Sequence, residues 1–149
     1  MATPLQPQHL QPRLLALDPG EARIGVAVSD ELGIYAHPRK AIRAKPEADA
    51  IRAIVRLVEA EAVAEVIVGL PLTLRGEQGH QAEAFRPFVA AVRGALKVPV
   101  REVDERLSSA QAAAEAPGLA GKRDGSLDSA SAAVVLQGVL DSRRGGVAR

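Results

Sequence analysis

Three acidic residues lie at the ends of elements that the sequence predicts, and Asp18 is the first of them. It follows "LLAL", a run that is apolar on both faces and predicts a central strand covered on both sides. "DPG" is also typical of a tight turn, in which aspartate caps, proline fixes φ and glycine supplies a positive φ. Two interpretations of Asp18 stay open, the corner of a turn and a functional carboxylate at the rim of the core.

The second acid belongs to the strand predicted over "VPVREVDERL", residues 98–107. Strand alternation sets Glu105 on the face of Val103 and Asp104 on the face of Val100. This alternation does not choose between the two acids. A solvated strand end is the competing interpretation, because charged side chains are rarely buried.

The third acid, Asp128, lies in the first turn of a helix predicted from about Leu127 to Asp141. An acid there commonly just complements the helix dipole. Asp128 stands four residues before Ala132, however, and is therefore on the same side of the helix as its apolar stripe, so its carboxylate is expected to face the sheet. The stripe consists of Ala132, Val135, Leu136, Val139 and Leu140.

Three carboxylates brought to one cleft would repel each other and raise at least one pKa unless cations compensate. Hard divalent ions such as Mg²⁺ and Mn²⁺ choose oxygen ligands. Two such ions about 3.5 to 4 Å apart can activate water and stabilise the leaving oxygen of a phosphodiester. If the three acids converge, the chemistry they predict is that of a metal-dependent nuclease.

The elements that must position these acids follow from hydrophobic periodicity. The runs "RLLALD" and "RIGVAVSD", separated by "PGEA", predict two antiparallel strands, and "GIYAHPRKAI" predicts a third. A helix opened by Pro46 comes next, and "AEVIVGLP" predicts the strand after it. The inward stripe of that helix is Ile51, Ile54, Val55, Val58 and Ala62.

The second half of the chain alternates helices and strands. "EQGHQAEAFRPFVAAVRGAL" predicts a helix in which an internal Pro87 costs about 3 kcal/mol or introduces a kink. "SSAQAAAEA" predicts another helix start, with Ser108 and Gln111 spaced as a capping box. The resulting order, β-β-β-α-β-α-β-α-α, predicts an α/β fold in which helices flank a mixed sheet of five strands.

Size and composition bound the answer. The 149 residues fit one domain, expected over residues 13–141, after a flexible leader of residues 1–12 and before a frayed tail of residues 142–149. The absence of cysteine excludes disulfides, thiolate metal sites and a cysteine nucleophile, and fits a cytoplasmic protein. No stretch approaches the roughly 20 apolar residues of a membrane span, so no membrane partner is expected.

The charge balance limits how a nucleic acid could be bound. The net charge is +1, from 19 basic and 18 acidic residues, so only local patches could attract a polyanion. The aromatic residues are Tyr35, Phe85 and Phe88, too few for a base-stacking surface. A nucleic-acid partner is therefore expected to be bound through its backbone and shape.

Four segments resemble the YqgF/RuvX family of Holliday-junction-resolvase-like nucleases with the ribonuclease H fold. They are "LALDPGEARIGVAVSD", "VIVGLPLTLRGEQG", "VDERLSSAQA" and "DSASAAVVLQGVL", which occur in the family's order from residue 14 to residue 140. The resemblance implies a ribonuclease H-like single domain. It also implies a hydrolase that uses Mg²⁺ or Mn²⁺ to process the 5′ end of precursor 16S rRNA, with Holliday-junction cleavage as the competing activity.

The resemblance also implies roles for particular residues. The family's catalytic and metal-binding acids fall on Asp18, Glu105 and Asp128, which selects Glu105 over Asp104. Basic residues near these motifs, whose ordinary role would be surface solvation, are expected to hold phosphates without reading sequence. They are Arg23, Arg75, Arg106, Lys122 and Arg123. A homodimer is among the expected assemblies.

Two rival functions remain open. Sugar kinases, actin and chaperone ATPases begin with a similar strand, turn and strand around nucleotide phosphates, but they need two such lobes and this chain has the length of one. A non-catalytic RNA-binding ribosome-assembly factor that retains the fold is the second rival. The retained acids favour catalysis over this second rival, provided that the three carboxylates meet.

Overall fold

The computed structural model describes residues 10–70, 83–104 and 129–145. These ranges contain the predicted five strands and three of the predicted helices. The helix predicted over "SSAQAAAEA" lies outside the described residues. The elements are β1 (Arg13–Pro19), β2 (Arg23–Ser29), β3 (Ala36–Arg43), α1 (Glu47–Ala60), β4 (Val63–Leu70), α2 (Arg86–Ala95), β5 (Val100–Asp104) and α3 (Ala130–Gly145).

The five strands form one mixed sheet in the order β3-β2-β1-β4-β5. β1 pairs antiparallel with β2 and parallel with β4. β2 pairs antiparallel with β3, and β4 pairs parallel with β5. The parallel pairs need crossover connections, which contain α1 and α2. β1, β4 and β5 therefore end at the same edge of the sheet, where β2 begins and β3 ends. We call this end of the sheet, where these strand termini lie, the Asp18 edge; it is distinct from the edge strands β3 and β5.

The sheet is covered on both faces. On one face Leu15 and Leu17 of β1 pack in a core with Ile54 of α1 and Val92 of α2. On the other, Leu14 and Ala16 pack with the apolar stripe of α3 predicted above. We call these the α1/α2 face and the α3 face. The prediction that β1 is a central strand buried on both sides is confirmed.

α1 is amphipathic as predicted, but it is shorter at its C-terminal end. Its buried residues are Ala50, Ile54 and Val58, and it ends at Ala60. Ala62, predicted as the last member of the stripe, lies beyond the helix with a φ of 52°. That prediction was wrong because the chain leaves the helix here to enter β4, and a residue in the left-handed region ends the helical repeat.

Pro87 does not interrupt α2. The helix begins at Arg86, so the proline lies in its first turn, where its missing N–H would have had no partner within the helix. Glu83 and Ala84 are also helical, but Phe85 is a turn residue, so the helix predicted from the sequence is interrupted just before α2 begins. The buried residues of α2 are Phe88, Val89 and Val92. α3 begins at Ala130 and continues to Gly145, four residues beyond the predicted end.

No helix within the three described ranges is long and apolar enough to cross a membrane.

Candidate functional site

Asp18 is the penultimate residue of β1 and lies directly beside Gly25 of β2. It is half-buried. Alternation along β1 puts it on the face of Leu14 and Ala16, which is the face covered by α3. The structure thus holds the Asp18 carboxylate at the end of the central strand, on the α3 face of the Asp18 edge.

The turn that follows Asp18 needs glycine at position 20. A Cβ added to Gly20 would lie 2.7 Å from the backbone carbonyl oxygen of Arg23, closer than carbon atoms approach oxygen without displacement. Gly20 therefore lets β2 begin directly after the turn. The two interpretations of "DPG" are compatible, because the tight turn is what holds Asp18 at a rigid strand end.

The pairing of β4 with β5 separates Asp104 from Asp18. Val103 lies beside Gly69 and packs against the α3 core, whereas Asp104 lies beside Leu70 on the α1/α2 face. Asp104 and Asp18 therefore lie on opposite faces of the sheet. This arrangement disfavours Asp104 as a partner of Asp18. Glu105, the acid selected by the resemblance, lies outside the described residues.

The start of α3 is attached to the sheet by a residue that the sequence analysis did not single out. Ser129 is completely buried. Its Oγ accepts a hydrogen bond from the Val26 backbone N–H at 2.9 Å and donates one to the Arg39 carbonyl oxygen at 2.6 Å. The pairing of β2 with β3 shifts register between Ile24 and Val26, and the hydroxyl bridges the two strands beside that bulge.

Ser129 also precedes the first turn of α3, where its carbonyl oxygen accepts the Ala133 N–H at 2.9 Å. Val26 follows Gly25, the cross-strand neighbour of Asp18, so α3 begins one strand away from Asp18, where the serine hydroxyl lies between β2 and β3. Asp128 precedes Ser129 in the sequence and lies outside the described residues. The available signal was a serine directly before an apolar helix, a preferred N-cap residue.

Of the basic residues predicted to hold phosphates, Arg23 is described. It is the exposed first residue of β2 and alternates with Gly25 and Ala27, so it lies on the α3 face of the Asp18 edge, as Asp18 does. The other predicted phosphate ligands lie outside the described residues. They are Arg75, Arg106, Lys122 and Arg123.

Side chains that could bind a metal ion do not cluster in the described part of the chain. Within residues 10–70, 83–104 and 129–145 no group of three or more histidine, cysteine, aspartate or glutamate side chains could hold a metal ion. Asp18 is the single predicted ligand in this part of the chain. Its carboxylate is the hard oxygen donor that Mg²⁺ and Mn²⁺ prefer, and its half-buried position fits such a role.

Comparisons with known proteins agree with this architecture. The family model for RuvX, described as a Holliday junction resolvase, matches residues 12–142. A relative from Chloroflexus aurantiacus is 46% identical over 134 residues, covering 88% of each chain. One from Roseiflexus sp. is 40% identical over 135 residues, covering 89% of this chain and 96% of its own. Both carry the name "Putative pre-16S rRNA nuclease".

Among solved structures, RuvC from T. thermophilus in complex with a Holliday junction substrate is similar in fold. Its TM-score is 0.59 at 16% identity, with 91% of this chain and 97% of RuvC covered. This similarity confirms the predicted ribonuclease H-like fold. The family model and the two relatives confirm the family that the four sequence segments indicated. The chain belongs to the RuvX family.

Proposed function

We propose that this protein is a metal-dependent endonuclease that hydrolyses phosphodiester bonds in structured nucleic acid and processes the 5′ end of precursor 16S rRNA. The observation that carries this proposal is the Asp18 carboxylate, half-buried at the end of the central strand and on the face where α3 begins. The substrate is suggested by the names of the two relatives, which are 46% and 40% identical to this chain.

Asp18, Glu105 and Asp128 are the proposed catalytic and metal-binding residues, with Mg²⁺ or Mn²⁺ as the ion. Such ions lower the pKa of a bound water and stabilise developing charge on a transferring phosphate. Asp104 lies on the opposite face of the sheet from Asp18, and this supports Glu105, the residue after Asp104, as the second metal ligand. The anchoring of Ser129 next to Gly25 supports Asp128, the residue that precedes it.

Arg23, Arg75, Arg106, Lys122 and Arg123 are proposed to bind phosphates around these acids. Arg23 supports this best, because it shares both the edge and the face of Asp18. Guanidinium groups bind phosphate oxygens through paired charge-assisted hydrogen bonds. The protein would therefore recognise the backbone and shape of the nucleic acid. We propose that it acts in the cytoplasm, and a homodimer is one assembly to test.

Resolution of Holliday junctions is the second candidate activity. The description of the matching family model favours it. A branched DNA and a folded RNA precursor both present closely spaced phosphates to a basic surface, so the same site could accept either. Only a direct comparison of the two substrates separates these activities.

The test is cleavage by the purified full chain of a precursor 16S rRNA fragment and of a four-way DNA junction. Each substrate is incubated with Mg²⁺, with Mn²⁺ and with a chelator. Metal-dependent cutting near the 5′ end of the RNA is the expected result, and cutting of the junction alone would favour the second activity. RNA binding without cleavage under every condition would identify a non-catalytic assembly factor, and ATP hydrolysis without cleavage would overturn both nuclease functions.

A further inference from the structure

We infer that Arg43 of β3 forms, together with Arg23, a phosphate-binding position that extends the nucleic-acid surface from Asp18 across β2 to the edge strand. This inference rests on the proposed function, because it takes structured nucleic acid as the ligand. Arg43 was not among the basic residues that the sequence motifs indicated.

Register brings the two arginines together. Arg23 and Arg43 are direct cross-strand partners, and both are exposed. The adjacent pair, Ile24 and Ile42, has Ile24 buried in the core of the α1/α2 face with Ile42 packed against it. Strand alternation therefore sets both arginines on the α3 face, which is the face of Asp18.

The backbone around this pair is held by the sheet. One residue beyond the pair, the Ala44 N–H donates a hydrogen bond to the Ala22 carbonyl oxygen at 2.9 Å. The pairing of β2 and β3 therefore continues past both arginines. Their guanidinium groups extend from fixed backbone positions, as a preorganised binding site requires.

Two guanidinium groups that face each other on neighbouring strands can share the oxygens of one phosphate. Charged residues also protect edge strands from pairing with other chains, and β3 is an edge strand of this sheet. Edge protection requires charge on the strand but no binding of nucleic acid, so the two explanations predict different measurements.

The spacing fits a substrate lying across the strands. β3 is two strands from β1, which at about 4.8 Å per strand is about 10 Å, and Arg23 lies two residues, about 7 Å, along β2 from Gly25. The backbone positions of Asp18 and Arg43 are therefore about 12 Å apart, which at a rise of about 3.4 Å per nucleotide spans about three to four nucleotides of one nucleic-acid strand. Arg43 would therefore contact a phosphate a few positions from the one nearest Asp18, and would contribute to binding without touching the reacting atoms.

The experiment measures nucleic-acid binding in an Asp18→Asn background, because this substitution is expected to prevent cleavage of the substrate during the measurement. The dissociation constant of a double-stranded RNA and of a four-way DNA junction is measured over a range of salt concentrations. Arg43→Gln is compared with Arg56→Gln, which removes the same charge from an exposed position on α1. Arg43→Lys keeps the charge but loses the paired hydrogen bonds.

Arg43→Gln is expected to weaken binding roughly tenfold, as for the loss of one hydrogen bond to a charged group, and to lower the slope of log K against log salt by about one. Arg43→Lys should retain the slope with part of the affinity, and Arg56→Gln should stay within about twofold of the parent. In the cleaving enzyme, Arg43→Gln should raise KM with kcat unchanged.

Equal affinity and salt slope for Arg43→Gln and Arg56→Gln would overturn the inference, and aggregation of Arg43→Gln with unchanged binding by its monomer would assign Arg43 to edge protection. The proposed function fails separately. A wild-type protein that binds through Arg43 but never cleaves would overturn the nuclease and leave the binding position standing.

Discussion

The two ends of the sheet, one where β1 begins and the other where β1 ends, differ in how their charged residues are arranged. At the edge where β1 and β4 begin, Glu61 pairs with Arg13 at 2.6 Å and with Arg39 at 3.3 Å. Glu65 accepts two hydrogen bonds from Arg143, both 3.0 Å long. Each of these carboxylates lies among cations of the same chain. At the Asp18 edge, an acid and two facing arginines occupy successive strands of one face.

The two ends of the sheet therefore show two different arrangements of acids and arginines. A carboxylate enclosed by arginines has its charge balanced internally, and its net contribution is a modest gain in stability. At the Asp18 edge, an acid on β1 and arginines on β2 and β3 lie on one face, and together they would present two kinds of charge to a ligand. A phosphodiester with its metal ion requires this combination, because the ion seeks carboxylate oxygens and the phosphates seek guanidinium groups.

The largest expected effect is on the cleavage rate, and it distinguishes Asp18 from Glu65 at the opposite end of the sheet. Asp18→Asn should lower the cleavage rate by about 10³-fold or more, since a catalytic metal supplies several kcal/mol and each 1.4 kcal/mol is about tenfold. Glu65→Gln should leave the rate unchanged. Initial cleavage rates measured with saturating metal check both. Cleavage by Asp18→Asn at the wild-type rate would remove Asp18 from the site.

Ser129→Ala tests how the start of α3 is attached to the Asp18 edge. It leaves the Val26 N–H and the Arg39 carbonyl without their bridge, so the free energy of unfolding should fall by about 1 to 3 kcal/mol. Ser142→Ala, at an exposed position of the same helix, is the matched control. Urea unfolding of both variants is the measurement, and equal midpoints would show that the buried hydroxyl contributes nothing.

Gly20→Ala tests the turn that holds Asp18. The added methyl group must displace the carbonyl of Arg23, so the free energy of unfolding should fall by about 1 to 2 kcal/mol, and cleavage should fall with it. Gly138→Ala adds a methyl group to α3 in open space and should stabilise the protein by about 0.5 to 1 kcal/mol. The hypothesis of a tight turn is contradicted if both variants shift the thermal midpoint upward.

The smallest effect is expected at the opposite edge. Glu65→Gln removes the charge that Arg143 and Arg101 share, and should cost at most about 1 kcal/mol at low salt. High salt should reduce this cost, because it screens partly exposed charges. Glu59→Gln, at an exposed position of α1, serves as the control. A cost that is independent of salt would argue against the ion pairs as its origin.

Much of the fold could be predicted because the decisive patterns are local. β1 is apolar on both faces, and Asp-Pro-Gly ends it, so the position of Asp18 at a strand end was predictable. Element ends were less predictable. α1 stops before Ala62 and α2 begins next to Pro87, because entry into the next strand and the first-turn position of the proline depend on how each helix meets the sheet.

Periodicity and short motifs were enough to establish the α/β class, the family and the acid of β1. The folded structure was needed to show that Asp104 lies on the opposite face from Asp18, that Ser129 bridges β2 and β3, and that Arg43 lies opposite Arg23. Each of these depends on strand register or on a contact between distant segments, such as that of Val26 with Ser129, which are 103 positions apart in the sequence. Packing of the whole sheet sets the register, and no local pattern contains it.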